Sequence, residues 1–187
     1  MGCVYEAREV PAGRPVALKL ARAGGSSSAL ERSLWLREAR ALGRLHHPNI
    51  ASLFRAGEAA DGTPYLAMEL VDGRPLGESL GAAEIDQRAS LEMLVALARA
   101  VDFAHRRGVV HLDLKPSNVF LTPNKPFPHT KLLDFGVAKV QMQQEQEHLT
   151  TTGAIIGTPG YLAPEQVAGD KLSPKTDLYA LGTLLYQ

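Results

Sequence analysis

His111-Leu-Asp-Leu-Lys-Pro-Ser-Asn118, running on into the apolar Val119-Phe-Leu121, and Lys131-Leu-Leu-Asp134-Phe-Gly136 after a loop are the stretches that decide how this chain is read. Each is a short strand candidate with an acidic residue and a polar partner at its loop end. A solitary Asp or Lys in a loop is ordinarily just solvated. Asp113, Lys115, Asn118 and Asp134 together offer more: hard oxygen ligands for Mg²⁺ and a cation for phosphate.

Outward from this pair the chain divides by texture. Before Asp72, short β-type runs surround one helical block; after it, long helical patterns are separated by loops. The apolar run ending at Val71 gives way to Asp72-Gly73, which places a boundary between residues 1–71 and 72–187. Cys3 to Arg8 and Val16 to Ala21 read as strands of a hairpin around Pro11-Ala-Gly-Arg-Pro15. Ser28-Ala-Leu-Glu31 matches a capping box, opening a helix that Pro48 stops. Ile50 to Gly57 and Pro64 to Val71 are two further strands around Ala59-Ala-Asp-Gly62. A long helix is predicted from about Asp86 to Arg107, closed by Gly108, with Leu91, Leu94, Val95, Ala98, Val101 and His105 on one stripe taken as its core face. A last helix covers Lys175 to Gln187.

Composition narrows the function classes. The chain has 187 residues, 20 Lys plus Arg against 20 Asp plus Glu, and 45% apolar residues, the make-up of a globular protein. Zero net charge argues against a nucleic-acid partner. It averages a mildly basic start, nine Lys/Arg against five Asp/Glu in residues 1–60, and a mildly acidic remainder. The longest apolar run, Met93 to Ala98, is too short to span a bilayer. Residues 1–14 hold no apolar h-region, and the single Cys3 suits a reducing compartment, so the expected location is cytoplasmic.

Taken in order, these motifs resemble a protein kinase of the bacterial serine/threonine type. Val16-Ala-Leu-Lys19 resembles the strand carrying the ATP-binding lysine, and Glu38 its helix partner. Ala67-Met-Glu-Leu-Val71 resembles the hinge, His111 to Asn118 the catalytic loop, and Asp134-Phe-Gly136 the metal-binding motif. Gly157-Thr-Pro-Gly-Tyr-Leu-Ala-Pro-Glu165 resembles the substrate-receiving segment, and Asp177-Leu-Tyr-Ala-Leu-Gly182 the helix that anchors the larger lobe. The resemblance implies an α+β, two-lobed fold: a small β-rich lobe with one control helix (1–71) and a mainly helical lobe (72–187). The match begins part-way through the glycine-rich loop, represented by Gly2-Cys-Val4, and stops inside the anchoring helix, so the expected domain is incomplete at both ends.

The same resemblance implies roles. Lys19, fixed by Glu38, holds the α/β-phosphates of ATP; Asn118 and Asp134 hold Mg²⁺; Asp113 orients the substrate hydroxyl and accepts its proton; Lys115 neutralises the transferred phosphoryl group; and Thr158 bonds near Asp113 and Lys115. Around the nucleotide it implies Gly2 and Val4, Ala17 and Phe120 at the ring, Met68 as gatekeeper, and Glu69 C=O with Val71 N–H on the adenine edge. Phe120 stands where a smaller aliphatic residue is usual; it stacks on the purine or narrows the pocket. His111 is expected to stack with Leu42, Leu53 and Phe135. His105 is expected to pack, and His46 and His47 to brace the control helix. Asp177 is expected to bond the catalytic-loop backbone. The implied partners are proteins bearing Ser or Thr, with dimerisation for autophosphorylation at Thr150, Thr151 or Thr152. A catalytically silent, pseudokinase-like module that binds nucleotide or a partner is the alternative. It is disfavoured because Lys19, Glu38, Asp113, Asn118 and Asp134 are all retained.

Two departures bear on regulation and stability. Glu165 lacks the arginine that usually pairs with it, so an unpaired acid is expected there. Leu112 stands where many kinases place an arginine that pairs with a phosphorylated activation loop, and a leucine cannot. Changing Thr150, Thr151 and Thr152 together to Ala is therefore expected to lower the phosphotransfer rate only modestly; a loss of about a hundredfold or more would contradict this reading of Leu112.

Overall fold

The computed structural model describes residues 3–21, 35–36, 39–81, 86–123, 129–135 and 160–186. Gly2, Glu38, Gly136, Thr150–Thr152 and Thr158 lie outside them, as does most of the helix predicted to start at Ser28; within it, residues 39–42 are helical.

Strand β1 (Cys3–Glu9) pairs antiparallel with β2 (Arg14–Leu20). The hairpin forms where the sequence breaks its β-type runs: Gly13 takes φ +67, its N–H bonds Glu9 O at 2.7 Å, and Arg14 pairs with the Glu9 carboxylate. Strands β3 (Leu53–Glu58) and β4 (Pro64–Glu69) turn at Ala59–Gly62, where Asp61 Oδ1 accepts the Thr63 N–H at 2.9 Å. The sheet order is β1-β2-β4-β3. Ile50, expected inside a strand, instead makes a parallel bridge to Leu132, and β3 begins three residues later.

The following part is mainly helical. A two-residue strand β5 (Arg74–Pro75) leads into α1 (Leu76–Gly81), and α2 spans Gln87–His105. Asp86 Oδ1 caps α2 by accepting the Ala89 N–H at 2.7 Å, and Gly108, at φ +73, follows its end. A 3-10 turn at Pro116–Asn118 precedes β6 (Val119–Thr122) and β7 (His129–Leu132), which form a second sheet in the order β5-β6-β7. Gly73 is required at the passage between the two parts, because a Cβ there would sit 2.6 Å from Leu121 O. Helices α3 (Pro164–Ala168) and α4 (Pro174–Tyr186) complete the described chain. The sheet followed by helices is the α+β arrangement expected.

The core corrects one expectation. Helix α2 buries Met93, Leu97, Ala100, Val101 and Ala104, whereas Leu91 and Val95 are about half exposed. Of the predicted stripe only Val101 is fully buried. The helix is apolar on two adjacent faces, and packing against β7 and α4 chooses between them, which periodicity alone does not. Leu97 is wholly buried in the cluster with Leu132, Phe135 and Ala180. Leu97→Ala is expected to destabilise the fold by about 3 kcal/mol, read as a fall in urea midpoint, whereas Leu91→Ala shifts it little.

Candidate functional site

The loop from His111 to Lys115 takes its shape from a buried carboxylate beneath it. Asp177, at the start of α4 and 1% exposed, accepts the His111 N–H on Oδ2 and the Leu112 N–H on Oδ1, each at 2.8 Å. Its Oδ2 also lies 2.7 Å from His105 Nε2, so His105 packs against α4 through a bond as well as through its ring. Leu112 is held at φ +63 and is buried. That side chain faces the interior, where it has no means of meeting a phosphate.

Past this bend the functional side chains converge. Asn118, buried at the end of the 3-10 turn, donates through Nδ2 to Asp113 O at 2.8 Å and to Asp113 Oδ2 at 3.2 Å. Lys115 Nζ lies 3.4 Å from the same Asp113 Oδ2. Leu133 N–H donates to Asn118 O at 2.8 Å, which sets Asp134 beside the loop at the end of β7. Asp134 takes φ +47, a left-handed conformation that Asp tolerates better than most residues, and its Oδ1 meets Lys19 Nζ at 3.2 Å. Lys19 thus reaches from the sheet to the loop across 115 residues of chain.

Strand register brings the residues expected around a nucleotide to one side of the sheet. Val4 opposes Lys19, Ala17 opposes Met68, and all four point to the same face. Val4 is more than half exposed, Met68 packs partly against the core, and Val71 lies two residues past the end of β4. Phe120 lies in β6 opposite Lys131 and is half-buried. Glu69 points the other way. Its carboxylate accepts Lys131 Nζ at 2.7 Å and the Ser52 N–H at 3.1 Å, an ion pair between the end of β4 and β7 that the sequence did not signal.

His111 is fully buried, with its ring 4.5 Å from that of Phe135. Its Nε2 lies 2.9 Å from Leu133 O, and its Nδ1 accepts the Asp113 N–H at 3.2 Å, which together assign the Nε2–H tautomer. Leu42 is buried in the same cluster, and Leu53 packs against it. His47 Nδ1 accepts the Asn49 N–H, and Asn49 Nδ2 bonds Thr130 O at 2.8 Å, fastening this loop to β7. Glu165, expected to be unpaired, has a hydrogen-bond partner: Thr176 Oγ1, on α4, donates to its Oε1 at 2.7 Å.

The donor set suits a hard cation. Both Nδ2 bonds of Asn118 go to Asp113, leaving Oδ1 as its acceptor, and Asp134 adds carboxylate oxygens beside a lysine able to meet phosphate. No cluster of three or more His, Cys, Asp and Glu side chains suited to a metal occurs among the described residues.

The profile of the protein kinase domain matches residues 1–187. This chain belongs to the protein kinase family. Members of the family use ATP and a divalent cation. Among its relatives are a probable serine/threonine-protein kinase of Streptomyces coelicolor, 39% identical over 192 residues, and the serine/threonine-protein kinase PknA of Mycobacterium tuberculosis, 40% identical over 192 residues. Each alignment covers all of this chain, but 28% of the first relative and 43% of the second. The kinase domain of Mycobacterium tuberculosis PknI superposes with a TM-score of 0.74 at 30% identity, covering 100% of this chain and 66% of that one. The chain therefore spans less than half the length of these curated relatives and about two thirds of a solved kinase domain.

Burial lowers the pKa of His111 below its ordinary value, against upward pulls from Asp177, the Leu133 carbonyl, Asp113 and Asp134. The folded kinase keeps this ring neutral, while the unfolded chain takes up a proton near the ordinary value of about 6.5. Its contribution to stability is thus present above about pH 6.5 and is lost as the pH falls toward the lowered folded value, at a slope of at most about 1.4 kcal/mol per pH unit. Urea unfolding at pH 7.5 and 5.5 is expected to show this acid-side loss, and His111→Gln, which cannot titrate, to show a smaller one.

Proposed function

We propose that this chain is a large part of the catalytic domain of a protein serine/threonine kinase, transferring the γ-phosphoryl group of ATP to Ser or Thr hydroxyls of proteins. The carrying observation is the convergence of Asp113, Lys115 and Asn118 at one loop with the Lys19–Asp134 pair beside it. The curated relatives named serine/threonine-protein kinases support the choice of hydroxyl, as does the Lys115 position. In this reading residues 1–71 form the nucleotide lobe and 72–187 the helical lobe.

Phosphoryl transfer asks a protein mainly for positioning and charge neutralisation. Lys19 holds the α/β-phosphates. Val4, Ala17, Met68, Val71 and Phe120, with Glu69 C=O, frame the adenine, and Gly2 belongs to the loop over the phosphates. Asn118 Oδ1 and the Asp134 carboxylate would hold Mg²⁺, which would supply charge neutralisation at the phosphates. Asp113 accepts the proton of the substrate hydroxyl as its oxygen bonds the γ-phosphorus and the bond to the β-phosphate oxygen breaks. Lys115, already drawn to Asp113, offsets charge on the transferred group. Glu38 and Thr158 complete the set as the partners of Lys19 and of the catalytic loop. We place the protein in the cytoplasm, where ATP is available, and Thr150, Thr151 and Thr152 as autophosphorylation sites reached in a dimer. Among the described residues no helix is long and apolar enough to cross a membrane.

Transfer of labelled phosphate from ATP with Mg²⁺ to a general protein substrate tests this reading. Asp113→Asn is expected to lower kcat by about a hundredfold or more while ATP binding persists. No transfer by the wild-type protein, or undiminished transfer by Asp113→Asn, would refute it.

A further inference from the structure

The backbone on either side of Asp113 is held group by group, and one of the holding side chains comes from α3. Leu112, at φ +63, occupies a left-handed conformation that non-glycine residues rarely adopt. It persists because its neighbours are pinned: the His111 and Leu112 N–H groups by Asp177, the Asp113 N–H by His111 Nδ1, and the Asp113 carbonyl by Asn118. The Leu112 carbonyl accepts from Gln166 Nε2 at 3.1 Å. Gln166 Oε1 in turn accepts the Ala163 N–H at 3.1 Å, capping the start of α3. The two bonds fix the amide orientation, since its oxygen meets a donor and its nitrogen an acceptor. A glutamate could accept the Ala163 N–H but could not donate to the Leu112 carbonyl.

We propose that Gln166 is a positioning residue for phosphoryl transfer, holding the Leu112 carbonyl and so setting the plane of the 112–113 peptide from which the Asp113 carboxylate projects. The chain just before α3 resembles the substrate-receiving segment, so the same amide ties that segment to the catalytic loop. The effect on rate rests on the kinase reading; the anchoring of the loop does not. A small cavity of about 10 Å³, bordered by Leu112, Asp113, Lys115, Tyr161 and Gln166, is close to the size of one water. Truncating Gln166 would admit solvent that could bond the Leu112 carbonyl, so the informative changes keep the side-chain length.

In the full-length protein, Gln166→Glu keeps the cap on Ala163 but loses the donor to Leu112. It is expected to lower kcat for a protein substrate about tenfold, with KM for ATP within about twofold, because small displacements of a reacting group cost rate rather than ground-state binding. Its melting temperature stays within about 2 °C of wild type. Hydrogen exchange of the 109–115 amides accelerates about tenfold while that of 163–169 is unchanged, the reverse of what loss of a helix cap alone would produce. Gln166→Met, which removes both bonds at similar length, lowers kcat comparably and lowers the melting temperature too. A Gln166→Glu protein with kcat within about twofold of wild type, or with 109–115 amides exchanging no faster, overturns the proposal. Should that variant fail to fold, Gln166→Met with wild-type kcat overturns it as well. If the wild-type protein transfers no phosphate, the kinase reading falls, and the exchange comparison alone decides the anchoring by Gln166.

Discussion

One buried carboxylate organises this site. Asp177 has almost no contact with solvent, and burying a carboxylate costs several kcal/mol unless its oxygens are bonded. Two backbone N–H groups and His105 supply those bonds, and charge-assisted bonds of this kind are about twice as strong as neutral ones. Both N–H groups belong to consecutive residues, and the chain passes through a left-handed turn at Leu112 where Asp177 holds them. The turn directs the His111 ring into the core against Phe135 and carries Asp113 outward to Asn118 and Lys115. Asp113, Lys115 and Asn118 thus meet on a backbone fixed from below.

The two ion pairs joining the sheet to the second half of the chain differ in weight. Lys19–Asp134 is partly open, with the Asp134 side chain 42% exposed, so it contributes about 1 kcal/mol or less to stability. Its value is positional, and a bound phosphate or cation can exchange with either partner at little cost. Lys131–Glu69 is better covered, and the Ser52 N–H shares the same carboxylate. It is a structural tie from a residue whose side chain points away from the face that carries Lys19 and Met68.

Much of this was legible in the sequence, for identifiable reasons. Pro11 to Pro15 broke two β-type runs and announced the hairpin; Asp86 and Gly108 bracketed α2; and the spacing of Asp113, Asn118 and Asp134 is local, since a short hairpin carries all three. What escaped depended on long-range packing. The apolar residues of α2 cover two faces, and only its neighbours decide that Leu97 is buried and Leu91 is not. Lys131 and Glu69 are 62 residues apart and resemble ordinary surface charges until the strands are placed. Thr176 and Gln166 are common polar residues in helices, and their partners, Glu165 and the Leu112 carbonyl, become visible only once α3 and α4 meet the catalytic loop.

The stitching of residues 47–52 to β7 has a geometric consequence. The Ile50–Leu132 bridge, the bond from Asn49 to Thr130 and the Lys131–Glu69 pair all fall along one seam at the β3–β4 end of the sheet. Glu69 is itself part of this seam, and Met68 lies next to it on β4. β1 lies two strands from β4 in the order β1-β2-β4-β3, about 10 Å away. Val4 and Met68 therefore face the same side of the sheet at different distances from that seam, Met68 beside it and Val4 two strands away.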